Sequence, residues 1–268
     1  MSDITIAVIN IYPLKSGRGI SLPVAKFDRR GLENDRRWAL ADSKTMEVLT
    51  QREISQLATL IPKIEDSELV LIDSKTSETI HVPIVADLSK KVGLKWKYWN
   101  KDKPVIDQGD AAAIKLSELL NRDVRLVYQP IELANSDYNV ALVDDSSVLI
   151  ISDKSLEDAN MAFEEHGIPR FSMNKFRPTI EVQTTGPYEE DSWRIAKVSN
   201  QIELASTEQC VRCSLPNTDQ ETGIVTSTSY LKVLKQHRGT PKPILGMYFN
   251  NINEGNISVG DKVKVLRA

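Results

Sequence analysis

Cys210-Val211-Arg212-Cys213-Ser214-Leu215-Pro216-Asn217-Thr218-Asp219-Gln220-Glu221-Thr222-Gly223 holds the only two cysteines of the chain. Its Ser, Pro, Asn, Thr, Asp and Gly content predicts a structured loop behind a strand at Gln201–Ser206. Arg212 places positive potential beside the thiols, which favours the thiolate as nucleophile or metal ligand. Four uses of the Cys-x-x-Cys compete. A structural zinc site wants four ligands, yet there is no second cysteine pair, and His81, His166 and His237 have no ligand spacing. A thioredoxin-like pair opens a helix, which Pro216 and Asn217 do not suggest. The cysteines could be inert, or one could be a single metal-ligating thiolate.

Working outward, the chain has 268 residues, 41% apolar and 26% charged, as expected of an ordinary globular protein with real cores. A net charge of −3 gives no general case for nucleic-acid binding, so any anion site must be a local cluster of cations. Two cysteines without a disulfide framework suit a reducing compartment. Met1-Ser2-Asp3-Ile4 lacks the basic start of a secretory signal, and no apolar run reaches membrane-span length. The expectation is a cytoplasmic protein without membrane contact.

The β-branched run Ile4–Ile11 predicts a buried strand leading into Tyr12-Pro13-Leu14-Lys15-Ser16-Gly17. Lys15 and Ser16 on this turn offer an ammonium, a hydroxyl and backbone N–H groups to a phosphate, without the spacing of a nucleotide P-loop. An exposed basic turn is the plainer alternative. Strands are expected at Leu22–Phe27 and Arg37–Ala41, a β-pair at Leu69–Ile72 and Ile80–Val85, and a half-buried strand at Lys95–Trp99. Asp110 is expected to cap a helix through Asn121, followed by a strand at Val124–Tyr128 and a loop at Pro130–Tyr138. The best boundary lies near residue 125, dividing the chain into 1–125 and 126–268.

The second half opens with Asp144-Asp145-Ser146-Ser147 and the apolar strand Val148–Ile151, after which Ser152 or Asp153 starts a helix carrying Leu156, Ala159 and Phe163. The acidic pair would repel a phosphate. Arg177, held before Pro178 in extended backbone, can present a planar fork to an oxyanion. A third helix is expected near Ser227–His237, and Tyr248 follows a Gly-Met bend from which its hydroxyl could reach a pocket.

Several of these stretches resemble, in order, the MOSC domain family that includes the mitochondrial amidoxime-reducing component and its bacterial relatives. The resemblance rests on Tyr12-Pro13-Leu14-Lys15-Ser16, Gly31-Leu32-Glu33-Asn34-Asp35-Arg36-Arg37-Trp38 and Thr50-Gln51-Arg52-Glu53. It continues through Leu149–Ser152, Lys175-Phe176-Arg177-Pro178, Glu190–Trp193, Cys210–Gly223 and Gly246-Met247-Tyr248-Phe249, so it covers nearly the whole chain. It implies a β-rich α+β fold: a MOSC-type β-barrel, an N-terminal β-barrel-like domain over 1–125, and peripheral helices.

The resemblance further implies the molybdenum cofactor, Mo-molybdopterin, with Cys213 as metal ligand. Lys15, Ser16, Arg36, Ser146, Arg177, Arg212 and Tyr248 are then the cofactor contacts, although Arg37 stands where an aromatic residue is often found. Asp219 is a candidate proton relay or loop anchor. The implied activity is reduction of small N-hydroxylated compounds: amidoximes, hydroxylamines and N-hydroxylated bases. The chain has no iron–sulfur, Rossmann or haem motif, so electrons are expected from a separate ferredoxin-, flavoprotein- or cytochrome b5-type donor. A non-catalytic cofactor carrier or sulfur-transfer module is the alternative.

Overall fold

The computed structural model describes residues 4–96, 102–133 and 141–267. A seven-stranded β-barrel forms its centre. Around the ring run Ile180–Gln183, Val148–Ser152, Ile244–Asn251, Ile202–Val211, Trp193–Val198, Lys262–Arg267 and Ile4–Ile11, and the last pairs back onto the first. Neighbours are antiparallel except Val148–Ser152 beside Ile180–Gln183. That parallel pair needs a crossover, which contains helix α2 (Asp153–Glu165).

The uninterrupted apolar run at 148–151 follows from burial on both faces. Val148 and Ile150 point into the barrel with Ile6, Ile9, Trp193, Leu204 and Phe249. Leu149 and Ile151 point outward beneath α2 and a later helix, Tyr230–Arg238 (α3), packing with Phe163, Tyr230 and Leu234. As expected, Ser152 caps α2, accepting from the Ser155 N–H at 3.1 Å.

A second body of sheet lies between. Lys91–Leu94, Lys103–Asp107, Val124–Tyr128, Trp38–Asp42 and Val48–Leu49 form a five-stranded sheet, and Leu60–Glu65, Glu68–Asp73 and Thr79–Pro83 a three-stranded one. Leu40, Leu57, Leu71 and Leu126 form their shared core with Leu116 of helix α1 (Asp110–Leu120). In space the N-terminal strand belongs to the barrel made largely by residues 148–267, and Phe27 and Leu32 pack into that barrel's core. The β-rich α+β architecture expected from the sequence is the one observed.

Local departures have physical reasons. Pro23, lacking an N–H, splits the expected strand at 22–27 into Ile20–Leu22 and Val24–Asp28, which join different sheets. Gly109 caps α1, while the Asp110 carboxylate accepts from Arg125 at 2.6 Å. The barrel strand runs on through Cys210 to Val211, with register shifts after Ser206 and Gln209, so the cysteine loop begins at Arg212. The expected strand at 95–99 and loop at 130–138 fall partly outside the described residues.

Candidate functional site

The Lys15 turn is pinned between the barrel and the five-stranded sheet. The Trp38 N–H donates to Pro13 O at 3.0 Å and the Lys15 N–H to Trp38 O at 2.7 Å. Gly17 closes the turn, donating to Leu14 O at 2.8 Å where a side chain's Cβ would come within 3.0 Å of Leu14 Cβ. Lys15 is thereby turned inward, only 6% exposed, with Nζ 2.9 Å from Asp144 Oδ1 and 4.5 Å over the Trp96 ring. Burial pushes the Lys15 pKa down, opposed by Asp144. The acidic pair that would repel an anion is thus partly neutralised.

Arg36 and Arg177 reach the same place from separate loops, Arg177 with φ +57° and not in the extended backbone expected before Pro178. Arg36 is held by Asp35 at 2.5 Å and donates to Arg177 O at 3.3 Å. Both guanidiniums lie over the Tyr12 ring, at 4.4 and 4.2 Å. Burial lowers the Arg177 pKa to about 10. Arg177 makes no ion pair with a carboxylate among the described residues; its Nη1 donates instead to Gly17 O at 2.7 Å and Gln220 Oε1 at 3.3 Å. Arg37 turns away to Asp28, at 2.6 and 2.8 Å.

The two cysteines part company. Cys210 is 2% exposed within the apolar layer under α3, and burial pushes its thiol up, outweighing neighbouring Arg212. The lowered pKa expected beside Arg212 therefore does not hold for Cys210. Arg212 bridges Cys210 Sγ at 2.9 Å and Phe176 O at 2.7 Å, leaving its buried Nε without a partner among the described residues. Cys213 is half-buried, its Sγ 3.1 Å from Arg52 Nη2, and its carbonyl accepts the Tyr230 hydroxyl.

A cleft of about 340 Å³ collects these groups. Lys15, Ser16, Arg36, Ser146, Arg177, Arg212, Cys213 and Tyr248, eight of the nine residues singled out from the sequence, line it. Ser146 shares a hydrogen bond with Thr207 at 2.8 Å. Burial, with Cys210 beside it, pushes the Tyr248 hydroxyl well above its usual range. Asp219 does not line the cleft. It accepts from the N–H groups of Glu221 and Thr222 at 3.1 and 2.9 Å and lies 3.5 Å from Lys175, contacts that hold its pKa low. Arg52 is a lining residue to which the sequence reading gave no site role, although it stands in the Thr50-Gln51-Arg52-Glu53 stretch. Its signal lay in following Thr50, whose hydroxyl accepts the Arg52 N–H at 3.2 Å and so aims the turn.

Five cations against the carboxylates of Asp144 and Asp145, plus one accessible sulfur, suit an anionic ligand carrying a soft metal. Arg177, without a carboxylate partner among the described residues, is a donor such a ligand can satisfy. Among the described residues no group of three or more His, Cys, Asp and Glu side chains could hold a metal alone, and no helix is long and apolar enough to cross a membrane.

The family model described as MOSC domain matches residues 137–264, and that described as MOSC N-terminal beta barrel domain matches residues 3–123. Mitochondrial amidoxime-reducing component 1 of Mus musculus is 30% identical over 98% of this chain and 82% of its own length. The Homo sapiens protein of the same name is 28% identical over 98% of this chain and 83% of its own length. Molybdenum cofactor sulfurase of Oryza sativa subsp. japonica is 28% identical over 95% of this chain and 34% of its own length.

Proposed function

The chain belongs to the MOSC family, with an N-terminal beta barrel domain ahead of the MOSC domain, and from that premise we propose that it is a molybdenum-cofactor-dependent reductase of small N-hydroxylated compounds. The observation that carries the reading is that Cys213 opens into the same cleft as Lys15, Arg36 and Arg177. A charged tail and a metal could therefore be held at once by one molecule.

When bound, the cofactor supplies a two-electron couple and oxygen-atom transfer chemistry. The residues divide the remaining work. Lys15, Arg36 and Arg177, with the Ser16 hydroxyl, hold the terminal phosphate, each charge-assisted contact contributing about 1.5–3 kcal/mol. Arg212, Ser146 and Tyr248 orient the pterin, and Cys213 ligates the metal as thiolate. Arg52 lies against the Cys213 sulfur, its Nη2 3.1 Å from Sγ. Asp219 anchors the loop that presents Cys213.

The net reaction breaks the substrate N–O bond. Two electrons and two protons enter, and the reduced nitrogen compound and water leave. Amidoximes, hydroxylamines and N-hydroxylated bases share that bond. The electrons come from a separate ferredoxin-, flavoprotein- or cytochrome b5-type donor, and the protons from solvent at the cleft mouth. We place the reaction in the cytoplasm. Chain order divides into 1–125 and the cofactor-binding part 126–268, with the strand Ile4–Ile11 lent to the latter's barrel. A second reading, a non-catalytic cofactor carrier or sulfur-transfer module, draws on the likeness to molybdenum cofactor sulfurase.

The test is expression in a cofactor-competent host, elemental analysis for molybdenum, and benzamidoxime reduction under reduced viologen. The wild type should hold molybdenum and turn over; Cys213→Ser should abolish reduction while Cys210→Ala retains it. Molybdenum without turnover would favour the carrier, and equal activity in both variants would reject the ligand assignment.

A further inference from the structure

Between the Lys15 turn and the cysteine loop lies a buried pair of amides that the assignments above do not use. Gln51 is 2% exposed and Gln220 4%. Each side chain donates to the other, Gln51 Nε2 to Gln220 Oε1 and Gln220 Nε2 to Gln51 Oε1, both at 3.0 Å. The remaining Gln51 hydrogen goes to Ser16 O at 2.8 Å and the remaining Gln220 hydrogen to Thr218 O at 3.1 Å. Gln220 Oε1 also accepts from Arg177 Nη1 at 3.3 Å.

All four amide hydrogens are used, and Gln220 Oε1 accepts twice. Turning either amide over would set oxygen against the oxygen of Ser16 or Thr218, so only one arrangement is satisfied. The pair therefore joins three segments that bear on the cleft: the turn of Lys15 and Ser16, the backbone neighbour of Arg52, and the loop after Cys213. Farther along that loop Gly223 lies so close to Ser55 O that a Cβ would approach to 3.0 Å. Arg18 holds Gln220 O from outside at 3.1 Å.

We propose that Gln51 and Gln220 form a positioning clasp that couples the anion-gripping turn to the placement of Cys213. The proposal rests on the function given above but concerns how the two ends of the cleft are kept in register. Arg177 is the shared member. It grips the anion while donating to Gln220, so ordering the anion end orders the thiol end. The amides touch no reacting atom; they act through Ser16, Arg177 and the loop.

The test uses Gln51→Met, Gln220→Met and the double variant in the full-length chain, with two readouts. In chain produced without cofactor, the alkylation rate of Cys213 by iodoacetamide is followed by mass spectrometry. Each single variant should raise that rate about fivefold, and the double variant no further, as expected of residues acting as one unit. In cofactor-loaded chain, molybdenum retained after gel filtration should fall several-fold, and the paramagnetic signal of the one-electron-reduced metal should broaden. Thermal midpoints separate these effects from simple unfolding, because a merely structural role would lower the midpoint without altering thiol rate or metal signal. Wild-type alkylation rates in all three variants, or single effects that multiply in the double variant, would overturn the clasp. A wild type that binds no molybdenum would sink the reductase reading instead and leave the thiol rates to decide the clasp alone.

Discussion

The Arg177 guanidinium lies 4.2 Å over the ring of Tyr12, and Arg36 shares that ring at 4.4 Å. Two like charges are thereby held close without a carboxylate for Arg177 among the described residues. The ring face is negative and offsets part of their repulsion. Tyr12 is 2% exposed, and its hydroxyl donates to Pro178 O at 3.0 Å. Tyr12→Phe keeps the face and loses one hydrogen bond, so it should cost about 1 kcal/mol in urea unfolding. Tyr12→Leu removes the face and leaves a void, costing about 2–4 kcal/mol. Sulfate affinity measured by calorimetry on cofactor-free chain should fall in the Leu variant and stay near wild type in the Phe variant.

Adjacent arginines should behave oppositely. Arg36 lines the cleft, whereas Arg37 is buried against Asp28 outside it. Arg37→Met strands the Asp28 carboxylate and should destabilise by about 3 kcal/mol, with sulfate affinity unchanged. Arg36→Met should weaken sulfate binding by about tenfold or more, the equivalent of one lost charge-assisted contact. A matching loss of affinity in both would mean that the cleft does not distinguish them.

How far the site could be read without coordinates depended on the kind of signal each residue leaves. Lys15, Arg36 and Arg177 stand in short motifs with a recognisable order, and the apolar run at 148–151 announces a strand buried on both faces. Arg52 was hidden because nothing in its neighbours marks it as a site residue; only the fold brings it to Cys213, 161 residues away. Gln51 and Gln220 are separated by 169 residues, and an isolated glutamine carries no periodicity to mark it as buried. Cys210 looked like loop because polar residues surround it, yet strand pairing with Ile244–Asn251 carries the backbone past it. Long-range pairing overrode local composition there.

Gly246 fixes where Tyr248 meets the cleft. Its φ is +88°, and a Cβ would come 2.9 Å from Ile150 O and 2.7 Å from Ile151 Cγ1 in the neighbouring barrel strand. Gly246→Ala therefore combines backbone strain with overpacking, for an expected loss of about 2–4 kcal/mol. Thermal unfolding should show it as a clear drop in midpoint. A neutral result would mean that the two strands can part without cost.

Lys103 Nζ lies 4.4 Å over the Trp96 ring that Lys15 also covers, and donates to Ala141 O and Val143 O at 3.1 and 3.2 Å. Burial first, and then the Lys15 charge, lower its pKa from 10.5 to about 8, with Asp144 and Asp145 opposing and Arg30 adding to the fall. Two consequences have opposite signs. As pH rises through about 8 the folded chain loses this charge, so sulfate affinity should fall across that range. Between about 8 and 10.5 the unfolded chain binds the proton and the folded chain does not. This group's contribution to stability therefore rises with pH in that window; its burial penalty is fully present below pH 8. Lys103→Gln keeps an amide donor for the carbonyls and removes the titration. Paired calorimetric and urea titrations from pH 6.5 to 9.5 should show both trends in the wild type and neither difference in the variant. Affinity and stability that move in the same direction, or an inflection that survives in Lys103→Gln, would assign the titration to another group.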